Sequence, residues 1–294
     1  MTASTPNNFL GLPAELADYA RARVVCLPVP YEATVTFGGG TGKGPAAIID
    51  ASAQVELYDE ELGCEPCDVG VATLAALDLA GVRPDDLHAK AAPAVESILR
   101  DKKFPLILGG EHSITPAAIK AVHAAHPDLT VLQFDAHADL RQEYEGERMS
   151  HACAMARVRE ISPVVQVGIR NLSKDEANWV ERERLPVFFA HKMRGSGNWM
   201  RDALAAIKTD EVYITIDVDA FDSSIMPATG TPEPGGMSWY DVIDFIRLVT
   251  EKKRVVGFDI VELAPQPGLH ACDFLAAKLA YKCIGFWSRA AGLI

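Results

Sequence analysis

Six residues in three short segments of the chain are of types and spacings that could together hold metal ions. Asp135, His137 and Asp139 lie in Phe134-Asp135-Ala136-His137-Ala138-Asp139, Asp217 and Asp219 in Ile216-Asp217-Val218-Asp219-Ala220-Phe221-Asp222, and His112 in Gly109-Gly110-Glu111-His112-Ser113. An apolar, mostly strand-forming run precedes each. Side chains two apart on a strand point to the same face, so Asp135, His137 and Asp139 converge, as do Asp217 and Asp219. Carboxylates crowded in this way repel one another and resist burial as bare charges, and a pair of divalent ions removes that penalty. Four aspartates and two histidines make a mostly oxygen, hard ligand set, better suited to Mn2+ or a similar ion than to structural zinc. Such a site lowers the pKa of water and so supplies a strong nucleophile at neutral pH.

These segments need strands to position them. Strand-like runs are expected at 23–29, 68–71, 104–108, 130–134, 164–169, 186–189, 211–216 and 254–258, most of them short, continuous and apolar, as for strands buried on both faces. Helical patterns alternate with them at 85–100, 115–126, 173–184, 198–208, 238–250 and 272–287. Ser238 followed by Trp239 and Asp241 predicts a capped helix start. The alternation implies an α/β fold with a mainly parallel sheet, which places its ligands at the carboxyl ends of the strands. The acidic and histidine motifs all fall there. No linker or repeat interrupts the pattern, so residues 1–294 are expected to form one domain. Long loop-like stretches at 30–45, 141–150, 222–236 and 264–271 are candidates for function.

Composition narrows the class. The 294 residues are 49% hydrophobic and 23% charged, with a net charge of −12. The pI near 5.1 argues against a nucleic-acid partner, which wants a basic face. Mean hydropathy is +0.06, and no apolar run is long enough to span a membrane. The residues from Met1 to Asn8 have neither the basic start nor the apolar core of a signal peptide, so a cytoplasmic location is expected. Among six cysteines, Cys64 and Cys67 form a CxxC, but no second ligand pair accompanies it; two reduced loop cysteines are expected. The glycine-rich run 37–44 fails the spacing of a phosphate loop, with Phe37 where its first glycine should be.

The motifs together resemble the ureohydrolases, the arginase–agmatinase family of manganese enzymes. The matches are Gly109-Gly110-Glu111-His112-Ser113, Asp135-Ala136-His137-Ala138-Asp139, Ser150-His151, Asp217-Val218-Asp219-Ala220-Phe221-Asp222 with Gly230-Thr231-Pro232-Glu233-Pro234-Gly235-Gly236, and Asp259-Ile260-Val261-Glu262, in the family's order. The resemblance implies a three-layer α/β/α sandwich around an eight-stranded, mostly parallel sheet. It implies two Mn2+ per subunit. One would be held by His112, Asp135, Asp139 and Asp217, the other by Asp135, His137, Asp217 and Asp219, with Asp135 and Asp217 bridging. It implies catalytic roles for His151 in proton movement or substrate support, for Glu262 in binding a guanidinium, and for Asp139 or His151 in protonating the leaving amine. A homo-oligomer, trimer or hexamer, also follows from the resemblance. Two positions depart from the common pattern: Ser223 follows Asp222 where proline is usual, and Glu111 replaces an aspartate. Neither touches an implied ligand, so activity is expected to survive both.

The implied substrate is a cationic guanidino compound. Arginases place neutral Asn and Ser side chains in the loop before the active-site histidine. Here that loop, 141–151, carries Glu143, Glu145 and Glu147 and resembles the loop of compact agmatinases. An acidic loop favours a substrate with a free amine and no carboxylate. Agmatine, cleaved to putrescine and urea, is the first expectation. N1-aminopropylagmatine, guanidinobutyrate, arginine and guanidine are alternatives, as is a catalytically quiet metal-binding relative. A phosphoesterase would want Arg or Lys beside the metals, whereas the motif loops offer mainly acids; Arg141, two residues after Asp139, is the exception next to an implied ligand.

Overall fold

The computed structural model describes residues 7–294, so nearly all of the segment weighed as a leader lies outside the described residues. Eight strands form one sheet: β1 (Val24–Val29), β2 (Val71–Thr73), β3 (Phe104–Gly109), β4 (Leu129–Phe134), β5 (Val164–Ile169), β6 (Val187–Phe189), β7 (Glu211–Asp217) and β8 (Arg254–Val261). Their order is β2-β1-β3-β8-β7-β4-β5-β6, and every neighbouring pair runs parallel. Parallel strands need crossovers, which here are mostly helices: α1 (Ala14–Ala17), α2 (Gly44–Ser52), α3 (Leu87–Arg100), α4 (Thr115–Ala125), α5 (Ala154–Val158), α6 (Lys174–Glu183), α7 (Ala190–Met193), α8 (Trp199–Ala206), α9 (Trp239–Lys252) and α10 (His270–Ala290).

The helices cover both faces, which is why the strands read as unbroken apolar runs. On one face Leu106, Leu108, Ile214 and Phe258 pack under α2, α8, α9 and α10. On the other Ile107, Val131 and Tyr213 pack under α3, α4 and α5. The result is the expected three-layer sandwich, with a sheet that is parallel throughout. Capping boxes start α6 (Ser173 with Glu176) and α9 (Ser238 with Asp241), each satisfying two otherwise orphan N–H groups.

Two expectations are corrected. The second strand does not cover 68–71: Pro66–Val69 is a 3-10 turn, Gly70 breaks it at φ +78°, and pairing begins at Val71. The loop expected to run to residue 45 ends sooner, because Gly44-Pro45 opens α2. That helix buries one stripe, Gly44, Pro45, Ile48, Ile49 and Ser52, but alanines on its other side and Gly and Ser on the buried one leave little apolar contrast, and so little helical signal. Among the described residues no helix is long and apolar enough to cross a membrane.

Candidate metal centre

The sheet order makes neighbours of the four strands whose ends carry the motifs. His112 follows β3, Glu262 follows β8, Asp217 ends β7 and Asp135 follows β4, and these are the four central strands in the order β3-β8-β7-β4. Two tight turns at this end are tied together. Gly110 N–H donates to Val29 O, and Glu262 N–H donates to Gly110 O at 2.8 Å. A Cβ on Gly110 would lie 2.0 Å from Tyr31 O, so no other residue fits there. Asp139 and Glu262 adopt φ of +52° and +67°, left-handed conformations that non-glycine residues hold only when their surroundings impose them.

Five of the six sequence-predicted ligands form two clusters sharing Asp135, and the sixth, Asp139, lies beside His112. His112, Asp135 and Asp217 form one; Asp135, His137 and Asp219 form the other. The His112 Nδ1 atom is buried without a hydrogen-bond partner, yet lies 3.1, 3.2 and 3.4 Å from carboxylate oxygens of Asp135, Asp139 and Asp217. His137 Nδ1 lies 2.9 Å from Asp219 and 3.6 Å from Asp135. A nitrogen lone pair and several carboxylate oxygens aimed at one point are what a metal ion requires, so the residues fit a divalent pair.

Second contacts fix these side chains. Thr215 Oγ1 sits 2.9 Å from His112 Nε2 and donates to Asp259 at 2.5 Å; Thr115 and Tyr213 also donate to that buried carboxylate. Asp259 accepts from Thr215, so the Thr215 oxygen accepts from His112 Nε2–H and turns Nδ1 toward the carboxylates as the nitrogen that would take a metal. Gln133 donates to Asp135, Ala136 N–H donates to Asp219, and Asp219 N–H donates to Asp217. Without metal, protons substitute for the missing charge. Burial disfavours a charged His137, but Asp219 and Asp135 outweigh it and hold it up to about 12. Burial and then the Asp135 charge push Asp139 up to about 7. Burial, followed by the Glu111 charge, raises Glu262 well above the ordinary carboxylate range.

Above the clusters lies a cleft of 230 Å3 lined by His137, Asp139, His151, Asp217, Asp219 and Glu262, with Phe37 and Tyr144 toward its mouth. A larger hollow of 740 Å3 lies at the opposite end of the sheet, by Lys102, Lys252 and Arg254, and none of the acid–histidine clusters found among the described residues lies there.

The acidic loop is corrected. Glu145 and Gly146 make a tight turn, with φ of +51° and +86°, that sends Glu143, Glu145 and Glu147 outward to solvent. Tyr144 and Arg141 face the cleft instead, the guanidinium 4.9 Å from the tyrosine ring centre. Asp222 accepts from Ser224, Gly235 and Gly236, so the loop after it is braced without the usual proline. Cys64 and Cys67 are free thiols; Cys67 is buried and its N–H donates to Tyr281, as two unlinked loop cysteines would be.

Sequence reasoning missed Gln133, Asp259 and Thr34. Gln133 carried a signal, a polar residue within an apolar strand and in step with Asp135. Asp259 lay inside a recognised motif with no role assigned to it. Thr34 carried none.

Comparison with known proteins agrees with this geometry. The Arginase family matches residues 22–285, and the chain belongs to that family. It is a ureohydrolase, a hydrolase acting on C–N bonds of linear amidines. It is 41% identical over 293 residues to N(1)-aminopropylagmatine ureohydrolase of a Synechocystis species, covering 97% of this chain and 95% of that one. It is 32% identical to an agmatinase of Pyrococcus horikoshii, covering 92% and 94%. Among solved structures, agmatine ureohydrolase of Thermoplasma volcanium superposes with a TM-score of 0.87 at 28% identity, over 97% of this chain and 96% of that one.

Proposed function

We propose that this chain is a dinuclear-manganese ureohydrolase that cleaves N1-aminopropylagmatine to urea and a triamine. The observation that carries the chemistry is the pair of clusters sharing Asp135 beneath a cleft that Glu262 and His151 also line. The substrate rests on likeness: the relative at 41% identity bears that name, whereas the agmatinase matches at 32%. Agmatine, the first expectation, becomes the second reading on that likeness, since an acidic loop would suit either cation.

His112, Asp135, Asp139 and Asp217 would hold one ion, and Asp135, His137, Asp217 and Asp219 the other. Bound there, the ions would offset four carboxylate charges and lower the pKa of water to give a nucleophile at neutral pH. The rest falls to side chains. A guanidinium carbon is a poor electrophile because its charge is delocalised, so it must be held still and close. One Glu262 oxygen accepts from His112 N–H at 2.6 Å, which aims the carboxylate into the cleft to take paired N–H donors from the guanidinium. Water oxygen bonds to the guanidinium carbon and gives up its protons, one of them to Asp139 or His151; the bond from that carbon to the alkyl nitrogen breaks, and the departing amine takes that proton in turn.

Urea release tests the reading. Mn2+-loaded protein is given N1-aminopropylagmatine, agmatine, guanidinobutyrate, arginine and guanidine in parallel. The highest kcat/KM is expected with N1-aminopropylagmatine, lost in Asp135→Asn. A preference for agmatine would keep the chemistry and replace the substrate; no urea from any of the five, with two ions bound, would overturn both.

A further inference from the structure

Glu111 is fully buried at the turn after β3, where the common pattern has aspartate. Every atom facing its carboxylate can donate. Ala33 N–H and Thr34 N–H reach Oε2 at 2.8 and 2.7 Å; the Thr34 and Ser113 hydroxyls reach Oε1 at 2.8 and 2.5 Å. Thr34 Oγ1 in turn lies 3.0 Å from His151 Nδ1 and accepts from His151 N–H at 3.0 Å. The other edge of the imidazole has no protein partner among the described residues, and the ring lines the cleft. Tyr144 meets the ring edge-on at 6.1 Å between centroids, so both its edge and its face are held.

The Ser150 hydroxyl also lies near Nδ1 but at 3.4 Å, farther than Thr34 Oγ1 at 3.0 Å, and along the shorter contacts proton bookkeeping has one solution. A hydroxyl has a single proton, and a carboxylate only accepts. The Thr34 proton therefore points at Glu111, leaving the Thr34 oxygen able only to accept from His151. The proton of a neutral His151 then sits on Nδ1, and the Nε2 lone pair faces the cleft. An aspartate at 111 would be one methylene shorter, and its oxygens would fall short of Thr34 with the backbone where it is.

We propose that Glu111 and Thr34 are positioning residues that fix His151 in its Nδ1–H form, so that Nε2 is bare and ready to accept a proton from the substrate or water in the cleft. The inference rests on His151 being the histidine that faces substrate, as proposed above.

The test reads the tautomer directly. Nitrogen-15 spectra of histidine-labelled protein, with His151 assigned by its loss in His151→Asn, should show a proton on Nδ1 and none on Nε2 at a pH where the ring is neutral. Thr34→Val keeps the shape, removes the hydroxyl and should shift His151 toward the Nε2–H form, whereas Thr34→Ser should keep the native spectrum. In Glu111→Gln the amide donates toward Thr34, turns its hydroxyl toward Nδ1 and should also favour Nε2–H; this variant, read with Thr34→Ser, decides the matter if Thr34→Val does not fold. With the preferred guanidino substrate, kcat should fall roughly ten- to a hundredfold in Thr34→Val, as for outer-sphere partners of active-site histidines, with KM unchanged and recovery in Thr34→Ser. A His151 found as Nε2–H in the native protein, or left as Nδ1–H in both Thr34→Val and Glu111→Gln, overturns the proposal. Because the spectra need no substrate, they decide it even if none of the five compounds is hydrolysed, a result that would count only against the proposed function.

Discussion

Loading the two clusters with Mn2+ should expel protons, in a number set by the side chains that hold them when metal is absent. Burial works against charge on both imidazoles, yet the carboxylates around them prevail: His112 stays protonated well above its ordinary range, and His137 up to about 12. A metal takes an imidazole only through an unprotonated nitrogen. At pH 8 at least two protons must therefore leave for each pair of ions bound. For His137 that is deprotonation four units below its pKa, about 5 kcal/mol at roughly 1.36 kcal/mol per unit. The apparent affinity for the pair should then climb about 100-fold per pH unit near pH 8. Below pH 7, Asp139, which burial and Asp135 push up to about 7, adds a third proton and steepens the slope further. Titration calorimetry of EDTA-stripped protein with Mn2+, repeated in buffers of different ionisation enthalpy, counts the protons. Release of fewer than two at pH 8, or an affinity flat between pH 6 and 8, would refute the reasoning.

Replacing Glu262 by Gln keeps the size of the side chain but removes the charge that receives a guanidinium; kcat/KM should fall by about 3 kcal/mol, roughly a hundredfold, in the urea assay, and an unchanged value would remove Glu262 from that role. Lys282 is 2% exposed on α10, with Asp59 at 3.0 Å and Glu61 at 3.3 Å. Lys282→Ala leaves the buried Asp59 carboxylate without its cation and should lower unfolding free energy by about 3–5 kcal/mol in a denaturant melt. A loss below about 1 kcal/mol would mean that water reaches the carboxylate.

What the sequence discloses is local. The motif loops are legible because each follows an apolar run that ends abruptly in polar residues, and the helix starts at Ser173 and Ser238 are legible because capping boxes are written within four residues. The contacts that hold the site in shape are not local. Thr34 meets Glu111 across 77 positions and His151 across 117, and nothing in the segment around Thr34 signals either meeting. The acidic loop misleads for a related reason: three glutamates declare charge, but which way they face depends on a turn at Glu145 and Gly146 whose geometry composition does not encode. The shift of β2 by three residues is the same lesson on a smaller scale: the apolar run reads as strand from 68, but the 3-10 turn at Pro66–Val69 and the positive φ of Gly70 delay pairing to Val71.

The place of β8 in the sheet bears on how the protein is made. β8 is the last strand in the chain, yet it lies between β3 and β7, the edges of two half-sheets, β2-β1-β3 and β7-β4-β5-β6, that touch nowhere else in strand pairing. A growing chain emerging from the ribosome therefore carries two open parallel edges until residues 254–261 arrive, each a template for pairing with another copy. His112 belongs to one half and Asp135, His137, Asp217 and Asp219 to the other, so the ligand set is assembled only when this final strand zips the halves together. A chain halted before β8 would carry two sticky half-sheets rather than fold as a smaller working protein, so the edges of β3 and β7 need shielding until residues 254–261 arrive.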